Sequence, residues 1–174
     1  MEKDDLIVVI PLVQKIKPKV VLEIGSWRGY SAQTWLRSFN PQLFITIEKE
    51  REAVEFIHKR LYANKFEEDH GMIALVESDS HEIATRDSVE ALLKDRKVDY
   101  LFIDGDHSYE GVKKDFEMYS PFVREGGIIA FHDALFHADK TEEVDIFWNE
   151  IKGFYPYREV QEGKNSTGFG IIYV

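Results

Sequence analysis

The chain has 174 residues, 44% apolar and 13% aromatic, enough for one hydrophobic core serving a single domain over residues 1–174. No apolar run approaches the roughly 18 residues of a membrane helix, and Met1-Glu2-Lys3-Asp4-Asp5 leads into no signal peptide, so a soluble, cytoplasmic protein without a membrane partner is expected. Zero cysteines exclude disulfides, thiolate metal sites and a cysteine nucleophile, and a net charge of −10 disfavours nucleic acid, whose phosphates are bound through Lys and Arg.

Residues 4–16 read as a short leading helix, stopped before Pro18. From there apolar, β-rich runs alternate with helix-like stretches. Strands are predicted over 20–24, 43–47, 73–76, 100–103 and 127–131, and helices over 31–39, 51–65, 88–95 and 109–122. Such alternation predicts an α/β fold, a Rossmann-like, doubly wound and mostly parallel sheet with helices on both faces. Residues 157–160 and 168–174 flank a polar turn and read as a C-terminal antiparallel β-hairpin on the sheet edge, which makes seven strands. Little chain precedes the first strand, so specificity is expected to come from short insertions. The sizeable one is 134–155, whose Phe136, Phe147, Trp148, Phe154 and Tyr155 could cover a substrate or make a contact in a homo-oligomer.

In open α/β sheets ligands bind beyond the carboxyl ends of the strands. The first strand ends in Gly25-Ser26-Trp27-Arg28-Gly29, where glycines permit a tight turn and a close ligand. Its Gly-x-x-x-Gly spacing differs from the Gly-x-Gly-x-x-Gly of dinucleotide sites, and Arg28 fills a position such loops keep small, which disfavours an NAD-dependent oxidoreductase. About 20 residues on, the second strand runs out to Glu48, where a carboxylate can accept both hydroxyls of a ribose. The loop alone is compatible with an ordinary strand-to-helix turn; together with Glu48 it favours an adenosine-type ligand.

The run Val21-Leu22-Glu23-Ile24-Gly25-Ser26-Trp27-Arg28-Gly29-Tyr30-Ser31-Ala32, followed by Ile45-Thr46-Ile47-Glu48, resembles the S-adenosylmethionine (SAM) binding start of catechol and caffeoyl-CoA type O-methyltransferases. Tyr100-Leu101-Phe102-Ile103-Asp104-Gly105-Asp106-His107-Ser108-Tyr109 and Gly126-Gly127-Ile128-Ile129-Ala130-Phe131-His132-Asp133 are similar to strand ends of a related bacterial family. That family includes macrolide-sugar O-methyltransferases and the cephalosporin-biosynthesis enzyme. The resemblance implies a class I SAM-dependent O-methyltransferase acting on a small hydroxylated acceptor. It places Glu23 and Gly25, within the loop that holds Ser26 and Gly29, along the methionine part of SAM, Ser31 on its carboxylate and Glu48 on the ribose. Asp79 would reach the adenine amino group, although it could equally cap the next helix. Asp104 and Asp106 would help position the cofactor.

The same resemblance assigns a divalent metal to Asp104, His132 and Asp133. Two carboxylates and water suit magnesium. The resembled families usually carry Asp-Asn or Glu-Asp where this chain has His132-Asp133, and imidazole suits zinc, iron or manganese better. Without an ion, Asp104 would contact the SAM amino group, Asp133 would cap a turn and His132 would pack beside them. His107 falls where these enzymes place a general base, and an imidazole of pKa about 6.5 can take a hydroxyl proton; the plain alternative is a helix-start residue bonding a carbonyl. His137 is a third histidine grouped near the acidic strand ends. Trp27 and Tyr30 are expected to pack rather than wall the pocket, and Trp35, Phe39, Phe116, Tyr119 and Phe122 to join the core. Two other readings stay open, a SAM-binding module without catalysis and a metal-dependent hydroxylase-like relative on the same fold.

Overall fold

Side chains alternate between the two faces of a strand, so strands apolar at every position require a sheet covered twice. β1 (Val20–Ile24) and β2 (Leu43–Glu48) are of this kind, with every residue buried. The computed structural model describes residues 3–62, 71–135, 142–161 and 167–174. Its elements begin with α1 (Lys3–Gln14), then β1, α2 (Tyr30–Phe39), β2, α3 (Arg51–Leu61) and β3 (Met72–Glu77). They continue with α4 (Ile83–Leu93), β4 (Val98–Ile103), α5 (Tyr109–Tyr119), β5 (Val123–His132), α6 (Val144–Ile151), β6 (Tyr157–Val160) and β7 (Phe169–Tyr173).

The strands form one seven-stranded sheet in the order β3-β2-β1-β4-β5-β7-β6. β1 to β5 pair in parallel, and β7 runs antiparallel to both β5 and β6. The expected Rossmann-like, mostly parallel sheet is therefore present. One core packs Leu22, Ile45, Leu101 and Ile129 against Val89, Leu93, Val112, Phe147 and Trp148 of α4, α5 and α6. The opposite core packs Val21, Phe44, Tyr100 and Ile128 against Val9, Val13, Trp35, Leu36, Ile57 and Leu61 of α1, α2 and α3. Chain order reverses between β1 and β4, and that reversal opens a crevice at their carboxyl ends.

Several elements differ from the sequence reading. α4 starts at Ile83 rather than residue 88, because Thr85, Val89 and Leu93 make one buried stripe at helical spacing. α5 stops at Tyr119, and a 3₁₀ turn over Ser120–Phe122 carries the chain into a strand that starts at Val123, with its register shifted across Gly126 and Gly127. The 134–155 insertion contains α6, whose Phe147 and Trp148 are core residues rather than a cover. Trp148 lies over Gly170, where an added Cβ would come within 2.5 Å of its ring, and its Nε1 donates to Glu159 at 2.9 Å. The C-terminal hairpin is present, but β7 is internal and β6 alone forms the edge. Among the described residues no helix is long and apolar enough to cross a membrane.

Candidate active site

The loop from β1 to α2 depends on residues with positive φ, Gly25 at 81°, Trp27 at 49° and Gly29 at 73°. At Gly25 the requirement is steric as well, since a Cβ would lie 2.6 Å from the Asp104 carbonyl carbon and 2.7 Å from Gly105 Cα. Glu48 clamps this loop from the end of β2. Its Oε2 accepts the Trp27 N–H at 2.7 Å and its Oε1 the Glu50 N–H at 2.9 Å. Each oxygen keeps acceptor capacity beyond these bonds.

Beneath the loop Glu23 is fully buried, and Thr46 Oγ1 donates to its Oε2 at 2.8 Å. Glu23 Oε1 and Ser26 Oγ are buried without an aligned partner among the described residues. Burial raises the Glu23 pKa to about 7, against the opposing effect of the Ser31, Ser26 and Thr46 hydroxyls. A carboxyl that holds its proton more tightly folded than unfolded contributes stability below its ordinary pKa of 4.5, and loses it as pH rises through about 7. Glu23→Gln, which cannot ionise, is therefore expected to gain about 3 kcal/mol on the wild type across that window. Urea unfolding at a series of pH values measures this; parallel curves would contradict it.

Asp79 follows β3. Its Oδ1 accepts the His81 N–H at 2.9 Å and its Oδ2 lies 3.6 Å from Lys49 Nζ. The His81 amide holds the Asp79 pKa below the usual carboxylate range. Asp79 caps this turn rather than the helix, whose N-cap is Glu82 with no side-chain bond. Asp106 behaves alike after β4, accepting the Ser108 N–H at 2.9 Å, while the Ser108 hydroxyl caps α5 by accepting from Gly111.

The ends of β4 and β5 bring Asp104, His107, His132 and Asp133 together. His107 Nε2 lies 3.4 Å from Asp104 Oδ1, and its Nδ1 lies 3.3 Å from Asp133 Oδ2 and 3.4 Å from Glu142 Oε1. His132, buried against Phe169, places Nδ1 3.4 Å from Asp104 and 2.8 Å from Asp133. The contact with Asp104 raises the His107 pKa to about 9. Burial opposes charge on His132, yet Asp104 and Asp133 raise it to about 10. Burial likewise opposes charge on Asp104, but His132 and His107 hold it down to about 2. The imidazoles thus serve as the counter-ions of this cluster.

Asp104, His107 and Asp133 present ligand atoms within 4.8 Å of one another, a donor set that fits a divalent cation. The expected ligand His132 lies in the same cluster but is more deeply buried, and His107 completes the converging set. His137 and Phe136 fall outside the described residues.

A cleft of about 610 Å³ runs over these strand ends, lined by Gly25, Ser26, Ser31, Glu48, Asp79, Asp104, Asp106 and His107 among others. Of the expected cofactor residues, Glu23 is buried and absent from the lining, and Gly29 is the N-cap of α2. Trp27 and Tyr30, expected to pack, instead line the cleft and are 59% and 52% exposed, with Arg28 and Arg60 over their rings. Trp35, Tyr119 and Phe122 are in the core as expected. Lys49 and His81, which also line the cleft, carried no motif in the sequence.

Among solved structures, similarity extends over the whole chain. A caffeoyl-CoA O-methyltransferase candidate from Staphylococcus aureus superposes with a TM-score of 0.78 at 20% identity, over 100% of this chain and 85% of that one. An O-methyltransferase from Bacillus cereus, in complex with S-adenosylhomocysteine (SAH), gives 0.75 at 17%, over 100% and 82%. The O-methyltransferase TomG of Streptomyces achromogenes, involved in tomaymycin synthesis and solved with SAM, gives 0.69 at 18%, over 100% and 81%. These likenesses establish the shared fold. An uncharacterized protein of Acanthamoeba polyphaga mimivirus is 53% identical over 36 residues, which are 21% of this chain and 16% of that protein's length. The family model described as a methyltransferase domain matches residues 22–134, well over half of the sequence, and the chain belongs to that family.

Proposed function

We propose that this protein transfers the methyl group of SAM to a hydroxyl of a small molecule. The observation that carries this reading is that Asp104 and His107 belong both to the cleft and to the carboxylate–imidazole cluster, so methyl donor and proton acceptor would meet at one point. Gly25, Ser26, Gly29 and Ser31 would form the bed of the methionine end, with Glu23 beneath it. Glu48 would hold the ribose, Asp79 the adenine, and Asp104 and Asp106 the turn between them. A class I fold solved elsewhere with SAM and SAH supports the choice of cofactor.

The sulfonium already activates the methyl group, so the protein supplies alignment and a place for the proton. The acceptor oxygen bonds to the methyl carbon, the sulfur–methyl bond breaks to leave neutral SAH, and the hydroxyl proton passes to His107. His107 must first give up the proton that Asp104 holds on it. A divalent ion, magnesium first among the candidates, would be held by Asp104 and Asp133 with His132, leaving His107 to take the proton, and would lower the pKa of the acceptor hydroxyl. A net charge of −10, with Glu48, Glu50, Asp79, Asp104 and Asp106 lining the cleft, suits a neutral, cationic or metal-chelating acceptor better than a nucleic acid.

Glu48→Ala is expected to weaken SAH binding by about 1.5 to 3 kcal/mol, the worth of a charge-assisted hydrogen bond. Calorimetric titration measures this, and unchanged affinity would remove Glu48 from the ribose site.

A further inference from the structure

One buried charge takes no part in the chemistry above. Asp115 of α5 is fully buried, and neither of its oxygens has an aligned donor among the described residues. An ionised carboxyl in that position is costly unless a charge matches it. The match comes from His81, whose Nε2 lies 3.2 Å from Asp115 Oδ1 and 3.2 Å from the Gly111 carbonyl. A ring nitrogen facing two acceptors carries its proton, so this contact fixes both the orientation of the ring and the nitrogen turned away from it. That other nitrogen, Nδ1, is on the Asp79 side, 3.9 Å from its Oδ1.

The same helix secures the loop at a second point, since Tyr119 donates its hydroxyl to the Ser80 carbonyl at 2.7 Å. Asp115 also stands next to Gly105 in the cleft wall. A Cβ on Gly105 would stand 3.0 Å from its Oδ2, and both Gly105 and His81 line the cleft.

We propose that Asp115 is a positioning residue for the cofactor, whose carboxylate, acting through His81, holds residues 78–81 as the wall on which the adenine end is seated. This rests on the cofactor reading above.

The test is a double-mutant cycle read by calorimetry with SAH and, separately, with adenosine. His81→Ala and Asp115→Ala are each expected to weaken both ligands about tenfold. The double variant should bind no more weakly than His81→Ala alone. Asp115→Asn, whose carbonyl oxygen can still accept the Nε2 proton, should recover most of the loss. If Asp115→Ala fails to fold, as a thermal melt would show, Asp115→Leu, which fills the site but accepts no hydrogen bond, takes its place in the cycle. Unchanged affinity in His81→Ala, or losses that multiply to about a hundredfold in the double variant, would overturn the proposal. Failure of the wild type to bind SAH at all would instead sink the cofactor reading, and this proposal with it.

Discussion

His107→Ala is expected to slow methyl transfer by about 10²- to 10⁴-fold while leaving SAH affinity within about twofold. The side chain is 32% exposed, so its removal leaves no large cavity, and the fold should survive. What is lost is, among the described residues, the one imidazole that is within reach of both Asp104 and Asp133 and also faces the cleft. A second signature follows from its charge. With the pKa raised to about 9, His107 is protonated at neutral pH, and the neutral, proton-accepting form grows as pH rises. The metal-free wild type should therefore gain roughly tenfold in rate per pH unit up to about 9, and the variant should lack this rise. Added magnesium should move the rise to lower pH, because a cation at Asp104 and Asp133 offsets the charges that retain the proton. A variant that loses SAH affinity as severely as rate would make His107 structural.

Gly25→Ala is expected to lower SAH affinity on the order of a thousandfold. Alanine there must adopt a φ of 81° and place its methyl against the Asp104 carbonyl and Gly105, both of them backbone and unable to swing aside. The strain and overpacking together cost about 3 to 5 kcal/mol, and the loop escapes them only by leaving the conformation that Glu48 clamps. Thermal melting should separate local from global damage, as loop displacement alone leaves most of the two cores intact. Near-wild-type affinity would show that the loop does not need this close approach.

Strands buried on both faces announce themselves as continuous apolar runs, which is why β1, β2 and β4 were legible. The hairpin order was less so, although it has a compositional trace. β7 carries Phe169, Ile171 and Ile172, fit for an internal strand, whereas β6 carries Arg158 and Glu159, fit for an edge. The first turn of α4 was hidden by an exposed Ile83 and by Thr85, a polar residue whose burial only packing decides. In α6 the apolar positions 144, 147, 148 and 151 do follow helical spacing, but a run of eight residues is too short to stand out from an aromatic-rich insertion.

At the site, Asp104 and Asp133 could be paired from the sequence because strand ends converge in this fold. Side-chain direction adds His107 to them, while His132, deeper, also stays within the cluster at 2.8 Å from Asp133. His81 and Asp115 belong to different helical units, 34 residues apart by their numbering, and only the packing of α5 against the loop after β3 joins them.

The cofactor reading is tested most directly by calorimetric titration of the metal-stripped wild-type protein with SAH, with NAD as the competing ligand. One site per chain for SAH, weakened in Glu48→Ala and unaffected by NAD, is the expected result. No heat with SAH at any pH between 6 and 9, from protein that melts cooperatively, would contradict it.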